Sequence, residues 1–137
     1  MKSIVNARYA SAIFICALLV SSLGRAGAAN FAGTWGLRGT IKGSRIMTTV
    51  SPVCAILQSG NRIAGTCKGP NNTGPVAGAA SGALITFQWR TIPVTRLGFS
   101  GICTFKGALR PNGAITGTWT FTGNPGFAGP FTMARVR

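Results

Sequence analysis

Beyond residue 29 this 137-residue sequence contains no Asp, Glu, His or Tyr. General acid–base catalysis relies mainly on His, Asp, Glu, Lys, Tyr and Cys, and only Lys and Cys of that set remain after Tyr9. The absences exclude Ser-His-Asp and Cys-His arrangements, carboxylate-bound Ca²⁺ or Mg²⁺ sites, and His-containing zinc sites. We therefore expect a binding or structural protein without cofactor or metal, and not an enzyme.

Long apolar runs are also missing. The apolar stretch 13–20 follows the positive residues Lys2 and Arg8 and precedes small residues at 26–29. It is well short of the roughly 18–20 residues that a transmembrane anchor needs. The pattern is typical of a cleaved secretory signal. We predict a signal peptide over 1–29, which removes Cys16, then a single domain over 30–137 in a secreted or periplasmic protein.

Positive charge in the predicted domain has no negative side chain to balance it. Of the 14 Lys and Arg in the chain, three lie before residue 30, which leaves eleven. They are scattered and form no block, which favours a charged surface over a disordered basic tail. The eleven are Arg38, Lys42, Arg45, Arg62, Lys68, Arg90, Arg96, Lys106, Arg110, Arg135 and Arg137.

Alternating apolar residues and regularly spaced turn dipeptides indicate an all-β fold. Eight short strands in just over a hundred residues suit an antiparallel up-and-down barrel, because closure leaves no exposed edge. The predicted strands are 33–41, 45–58, 62–68, 75–80, 83–91, 98–109, 114–122 and 129–137.

A first hairpin is predicted around Gly60-Asn61, a permitted Gly-first loop. This register sets Ile56 opposite Gly65 and Cys54 opposite Cys67. The cysteine pair falls at a non-hydrogen-bonded position, where the Cα atoms of two strands come closest. Because an exported protein meets oxidising conditions, we predict a Cys54–Cys67 disulfide.

A second hairpin turns at 110–113, where Pro, Asn and Gly suit a type I turn followed by a left-handed residue. It pairs Phe105 with Trp119 and Cys103 with Phe121, and so places the large apolar side chains of both strands on one face.

A third hairpin is predicted to turn at Ser81-Gly82. It pairs Gly78 with Ile85 and Val76 with Phe87. All three registers give an apolar inner face and an outer face of Thr, Gln, Lys and Arg.

The segment Gly33-Thr34-Trp35 resembles the start of calycins, the superfamily of lipocalins and avidins. The resemblance implies an eight-stranded barrel in which a basic residue near the last strand, Arg135 or Arg137, packs over Trp35 and closes one end. Avidins hold biotin partly with Tyr and Asp, which this domain lacks. The resemblance therefore implies lipocalin-type binding of a small apolar molecule in the barrel.

Inward-facing aromatic side chains allow two interpretations. They could line a ligand cavity, since pockets are mostly apolar with a few polar groups. Alternatively they fill the interior, because an eight-stranded barrel is just wide enough for its own side chains. The candidate ligand-lining residues are Trp35, Gln58, Phe87, Trp89, Phe105, Trp119 and Phe131.

The unbalanced positive charge also has two interpretations. It could bind an anionic polysaccharide or lipopolysaccharide, or it could merely maintain solubility. Specific nucleic-acid binding is not expected, because the aromatics that would stack on bases face inward. The candidate anion-binding residues are Arg38, Lys42, Arg45, Arg62, Lys68, Arg90, Lys106 and Arg110.

Cys103 is left without a predicted partner. A nucleophilic role needs a nearby base, and Lys106 falls on the opposite face of the strand. A metal site shared with Cys54 and Cys67 would lack a fourth ligand. We predict a buried, inert thiol.

Overall fold

A computed structural model describes residues 27–41, 49–122 and 127–137. Most of the predicted signal peptide, and the anion-binding candidates Lys42 and Arg45, lie outside these residues. Within them, no helix is long and apolar enough to cross a membrane.

Antiparallel strands follow one another around a closed barrel, each paired with its neighbour in sequence, and β1 pairs with β9 to complete the circle. β2 and β3 both pair with β1 in a single register, so they act as one interrupted barrel strand. The predicted eight-stranded up-and-down barrel is therefore confirmed. The described strands are β1 (Gly33–Thr40), β2 (Thr49–Val50), β3 (Val53–Ser59), β4 (Arg62–Lys68), β5 (Asn72–Ser81), β6 (Leu84–Pro93), β7 (Gly101–Leu109), β8 (Ile115–Thr122) and β9 (Phe127–Arg135).

The strand predicted over 45–58 is interrupted at Ser51-Pro52, and its residues 45–48 lie outside the described part of the chain. The backbone N–H of Leu37 donates to the Pro52 carbonyl at 3.0 Å. Pro52 has no N–H with which to return the bond, so the ladder with β1 breaks there. The register is the same on both sides of the break, with Gly36 opposite Val53 and Gly39 opposite Val50.

The first hairpin has the predicted register, from Ser59 opposite Arg62 to Cys54 opposite Cys67. Gly60 takes a φ of 59°, the left-handed conformation that the first position of this loop requires. Cys54 and Cys67 form the predicted disulfide, and their Cα atoms are 4.0 Å apart. Both cysteines are fully buried, so the disulfide links β3 and β4 on the inner face.

The second hairpin is also as predicted, with Phe105 opposite Trp119 and Cys103 opposite Phe121. Gly113 has a φ of 85° and donates its N–H to the Arg110 carbonyl at 2.9 Å. Turn chemistry and apolar alternation thus agree on one register.

The third hairpin register is wrong by two residues. Val76 lies opposite Trp89 and not Phe87, because the loop is Gly82-Ala83. Gly82 has a φ of 55° at the first loop position, where Ser81 would have been strained. A shift of two residues keeps every side chain on its predicted face.

Breaking the disulfide should destabilise the barrel. The two cysteines are 13 residues apart in the sequence. A disulfide that closes a loop of that length stabilises a fold by roughly 3 kcal/mol. Cys54→Ala/Cys67→Ala should therefore unfold at lower urea concentration than the oxidised protein. Reductant should lower the wild-type midpoint and leave that of the double variant unchanged. Equal midpoints for oxidised and reduced wild type would contradict this.

Candidate ligand pocket at the open end of the barrel

The two ends of the barrel are built differently. At one end lie the β3–β4, β5–β6 and β7–β8 turns, and the segment before β1 reaches across them, since the Ala29 N–H donates to the Gly82 carbonyl at 2.7 Å. At the other end lie the β4–β5 connection (69–71) and the β6–β7 connection (94–100). We call the first the closed end and the second, with respect to the described residues only, the open end.

Gln58 ties the crossing segment to the closed end. Its side-chain Oε1 accepts the Phe31 N–H at 2.6 Å, and its Nε2 donates to the Ala29 carbonyl at 2.9 Å. The Trp35 Nε1–H donates to the Phe31 carbonyl at 2.8 Å. Gln58 was a candidate ligand-lining residue, but both the oxygen and the nitrogen of its side-chain amide form hydrogen bonds within the protein.

Arg135 covers the closed end. Its guanidinium carbon lies 4.4 Å from the centre of the Trp35 ring, and its two terminal nitrogens donate to the Ala32 carbonyl at 2.7 Å and the Asn30 carbonyl at 2.8 Å. Pairing of Trp35 with Arg135 across β1 and β9 puts the two side chains together. Arg137 lies exposed beyond the end of β9. Of the two arginines suggested by the sequence, Arg135 is the one over Trp35.

The middle of the barrel is filled by aromatic side chains. Phe105 stacks on Phe87 with ring centres 4.9 Å apart, meets Phe131 edge-on at 5.2 Å, and lies 6.1 Å from Trp119. All four are buried. Three of the candidate lining residues, Phe87, Phe105 and Phe131, therefore pack mainly on each other and their neighbours.

A pocket of about 300 Å³ lies at the open end. Trp89 from β6 and Pro52 at the strand break are its most buried walls. Most of its surface is apolar, as small-molecule sites usually are. The lining residues are Val50, Ser51, Pro52, Gly69, Pro70, Asn71, Asn72, Trp89, Leu97, Phe99 and Phe127.

Asn72 holds two connections of the open end in place. Its side-chain Oδ1 accepts the Phe99 N–H at 2.9 Å, and its backbone carbonyl accepts the Gly69 N–H at 2.8 Å. The side chain is 6 % exposed, and the bond to Phe99 satisfies its buried oxygen. Hydrogen bonds within the protein therefore hold the pocket walls at 69–72 and 97–99 in position.

Sequence reasoning identified Trp89 but missed the rest of this pocket. Phe99 and Asn72 lie beside Gly, Pro and Asn residues in the sequence. Such residues indicate turns, but they do not show which turns lie at the same end of the barrel. Counting strands in an up-and-down barrel would have placed 69–72 and 97–99 at the same end, since alternate connections meet there.

A second depression of about 590 Å³ lies on the barrel wall at β8 and β9, and Trp119 forms part of it. The Trp119 Nε1–H donates to the Thr40 carbonyl at 3.1 Å, so its polar atom is already used. We therefore place the candidate site at the open end. The remaining lining residues are Thr40, Thr118, Thr120, Ala128, Gly129 and Pro130.

The described basic side chains are exposed, and they are spread over several strands and both ends. The Arg110 Nε–H donates to the Thr116 hydroxyl at 2.7 Å. The other anion-binding candidates that the structure describes are Arg38, Arg62, Lys68, Arg90 and Lys106.

Cys103 is fully buried between β6 and β8. Burial raises the pKa of its thiol to about 12, because desolvation disfavours the thiolate. The thiolate is the nucleophilic form, so a protonated Cys103 is inert near neutral pH.

No family model and no curated protein matches this sequence. The closed antiparallel barrel is compatible with a calycin-like fold.

Removing the arginine over Trp35 should destabilise the closed end. Arg135→Gln loses a cation–π contact and two hydrogen bonds to carbonyls, at a cost of about 1–2 kcal/mol. Arg137→Gln is the matched control and should change the free energy of unfolding by less than about 0.5 kcal/mol. Urea unfolding followed by tryptophan fluorescence measures both, and equal effects would show that Arg135 has no special role.

Proposed function

We propose that the protein is an exported, non-enzymatic binding protein that holds a small apolar molecule at the open end of its barrel. The observation that carries this proposal is the apolar pocket of about 300 Å³ floored by Trp89. The Cys54–Cys67 disulfide is in keeping with export, because disulfides persist in oxidising compartments.

Two features of the barrel support binding at this end. Gln58 and Arg135 hold the crossing segment over the closed end, and aromatic rings fill the middle. The pocket lies at the small end of the usual range for ligand sites, about 300–1,000 Å³. The ligand is therefore expected to be of ring size and to lie at the mouth, not deep within the barrel.

A neutral probe tests the pocket. N-phenyl-1-naphthylamine fluoresces strongly in apolar surroundings and carries no charge that the basic surface could attract. We expect saturable binding of one probe per chain. Val50→Phe enlarges a partly buried side chain of the pocket wall and should weaken binding by roughly tenfold or more.

Val53→Phe is the matched control, because Val53 is an exposed valine of β3 that does not line the pocket. It should bind the probe like the wild type. Absence of saturable binding, or equal weakening by both variants, would contradict the proposed function.

A second candidate function is binding of anionic polymers, such as an acidic polysaccharide or lipopolysaccharide. It is favoured by the exposure of the described Lys and Arg side chains in a chain with no Asp or Glu. Such a surface attracts polyanions over long distances. The even spread of charge favours general attraction of polyanions over one specific binding site. A purely structural role in the cell envelope also agrees with this spread of charge.

Heparin-agarose measures this attraction. We expect retention at low salt that falls steeply as the salt concentration rises, because binding releases condensed counterions. An uncharged dextran matrix is the control and should not retain the protein. Failure to bind heparin at low salt, or retention that salt does not change, would contradict the second candidate.

A further inference from the structure

Exposed apolar side chains are concentrated in one short part of the chain at the open end. Eight Val, Leu and Ile side chains are exposed among the described residues, and four of them lie between residues 92 and 102. Leu97 is the most exposed of the eight, at 78 %. The other three are Ile92, Val94 and Ile102. We call residues 92–97 together with Ile102 the apolar rim.

Hydrogen bonds hold the tip of the apolar rim in a defined conformation. The Val94 N–H donates to the Asn71 carbonyl at 2.9 Å, and the Thr95 hydroxyl donates to the Asn71 Oδ1 at 2.8 Å. The Leu97 N–H donates to the Thr95 Oγ1 at 3.2 Å, and the Gly98 N–H donates to the Thr95 carbonyl at 3.1 Å. An ordered turn therefore presents the Leu97 side chain to the surroundings of the protein.

Basic side chains lie among these apolar ones. Arg96 is exposed and directly precedes Leu97. Arg90 is also exposed, and it lines a depression on the outer wall together with Ile92 and Ile102. The chain has no Asp or Glu that could neutralise the two arginines. The apolar rim is therefore both apolar and positively charged.

This combination matches the surface of an anionic bilayer, in which acyl chains lie beneath negatively charged headgroups. Arginine side chains can bind headgroups while their methylene stems stay in apolar surroundings. Contiguous exposed apolar side chains commonly mark a membrane or protein contact. A second copy of this chain is the poorer partner, because it would bring the same arginines together without a carboxylate to pair with them.

We propose that the apolar rim docks the protein on a membrane surface that contains anionic lipid. Val94 and Leu97 insert among the headgroups, and Arg90 and Arg96 bind lipid phosphates. Leu97 also lines the open-end pocket, so docking holds the mouth of that pocket against the lipid. The inference goes beyond the proposed function and is separable from it, because an empty pocket does not prevent docking.

Vesicle cosedimentation tests the apolar part of the contact. We expect binding to vesicles of one part phosphatidylglycerol and two parts phosphatidylcholine, and little binding to phosphatidylcholine alone. Leu97→Ser should weaken binding to the anionic vesicles by about tenfold, because it removes the most exposed apolar side chain. Leu84→Ser is the matched control and should change little, because Leu84 is a 61 % exposed leucine beside the β5–β6 turn at the closed end.

The same assay tests the charged part of the contact. Arg96→Gln should weaken binding to the anionic vesicles by about fivefold, as expected for one basic side chain close to an anionic surface. Arg137→Gln is the matched control, because Arg137 is exposed beyond the end of β9 at the closed end. Equal weakening by the two variants would show a general attraction of charge and would overturn the inference.

Quenching by brominated lipid reports which side chain enters the bilayer. Leu97→Trp places a fluorophore in the apolar rim, and Leu84→Trp places one at the closed end. The three native tryptophans are buried, and the wild type gives their background fluorescence. Anionic vesicles whose phosphatidylcholine carries brominated acyl chains should quench the added fluorescence of Leu97→Trp and not that of Leu84→Trp.

The outcomes separate this inference from the proposed function. Absence of binding to the anionic vesicles, equal effects of the two serine variants, or equal quenching of the two tryptophan variants would overturn the inference. The pocket would then be judged by the N-phenyl-1-naphthylamine titration without vesicles. Vesicle binding by a protein that does not bind this probe would overturn the proposed function alone. Should Leu97→Ser fail to fold, the quenching of Leu97→Trp still decides the question.

Discussion

Pairing of β1 with β9 is the interaction on which the rest of the structure depends. It joins the first and last strands of the described barrel, so that no strand edge is left open. The same register sets Arg135 beside Trp35, and its guanidinium then reaches the carbonyls of Asn30 and Ala32. One ladder therefore both closes the barrel and holds the segment that covers one end.

The pocket proposed as the binding site lies at the end opposite the crossing segment. Aromatic rings packed on Phe105 fill the middle, so space for a ligand is found near the mouth, where Trp89 forms the floor. The break in the ladder at Pro52 lies at this mouth and contributes to the pocket wall. A backbone irregularity and a candidate binding site thus coincide, as is common at barrel rims.

The absence of acidic residues affects the outside and the inside differently. Outside, the exposed arginines and lysines have no acidic side chain to neutralise them, which favours attraction to polyanions. Inside, the side-chain groups that hydrogen-bond are amides, hydroxyls and indole N–H groups. The side-chain oxygens of Gln58 and Asn72 accept hydrogen bonds from backbone N–H groups of the protein. The buried Trp89 N–H has no hydrogen-bond partner among the described residues.

The sequence by itself determined the number of barrel strands, the inner and outer faces, two hairpin registers and the Cys54–Cys67 pair. These depend on alternation with a period of two and on turn residues, which are local properties. It misplaced the third turn by one residue, because both Ser81-Gly82 and Gly82-Ala83 contain the required glycine. Only the tertiary structure decided that Arg135 covers Trp35, that aromatic rings pack together in the middle, and that Trp89, Asn72 and Phe99 line one pocket. Those features arise when barrel closure brings together residues distant in sequence, and no local pattern encodes such contacts.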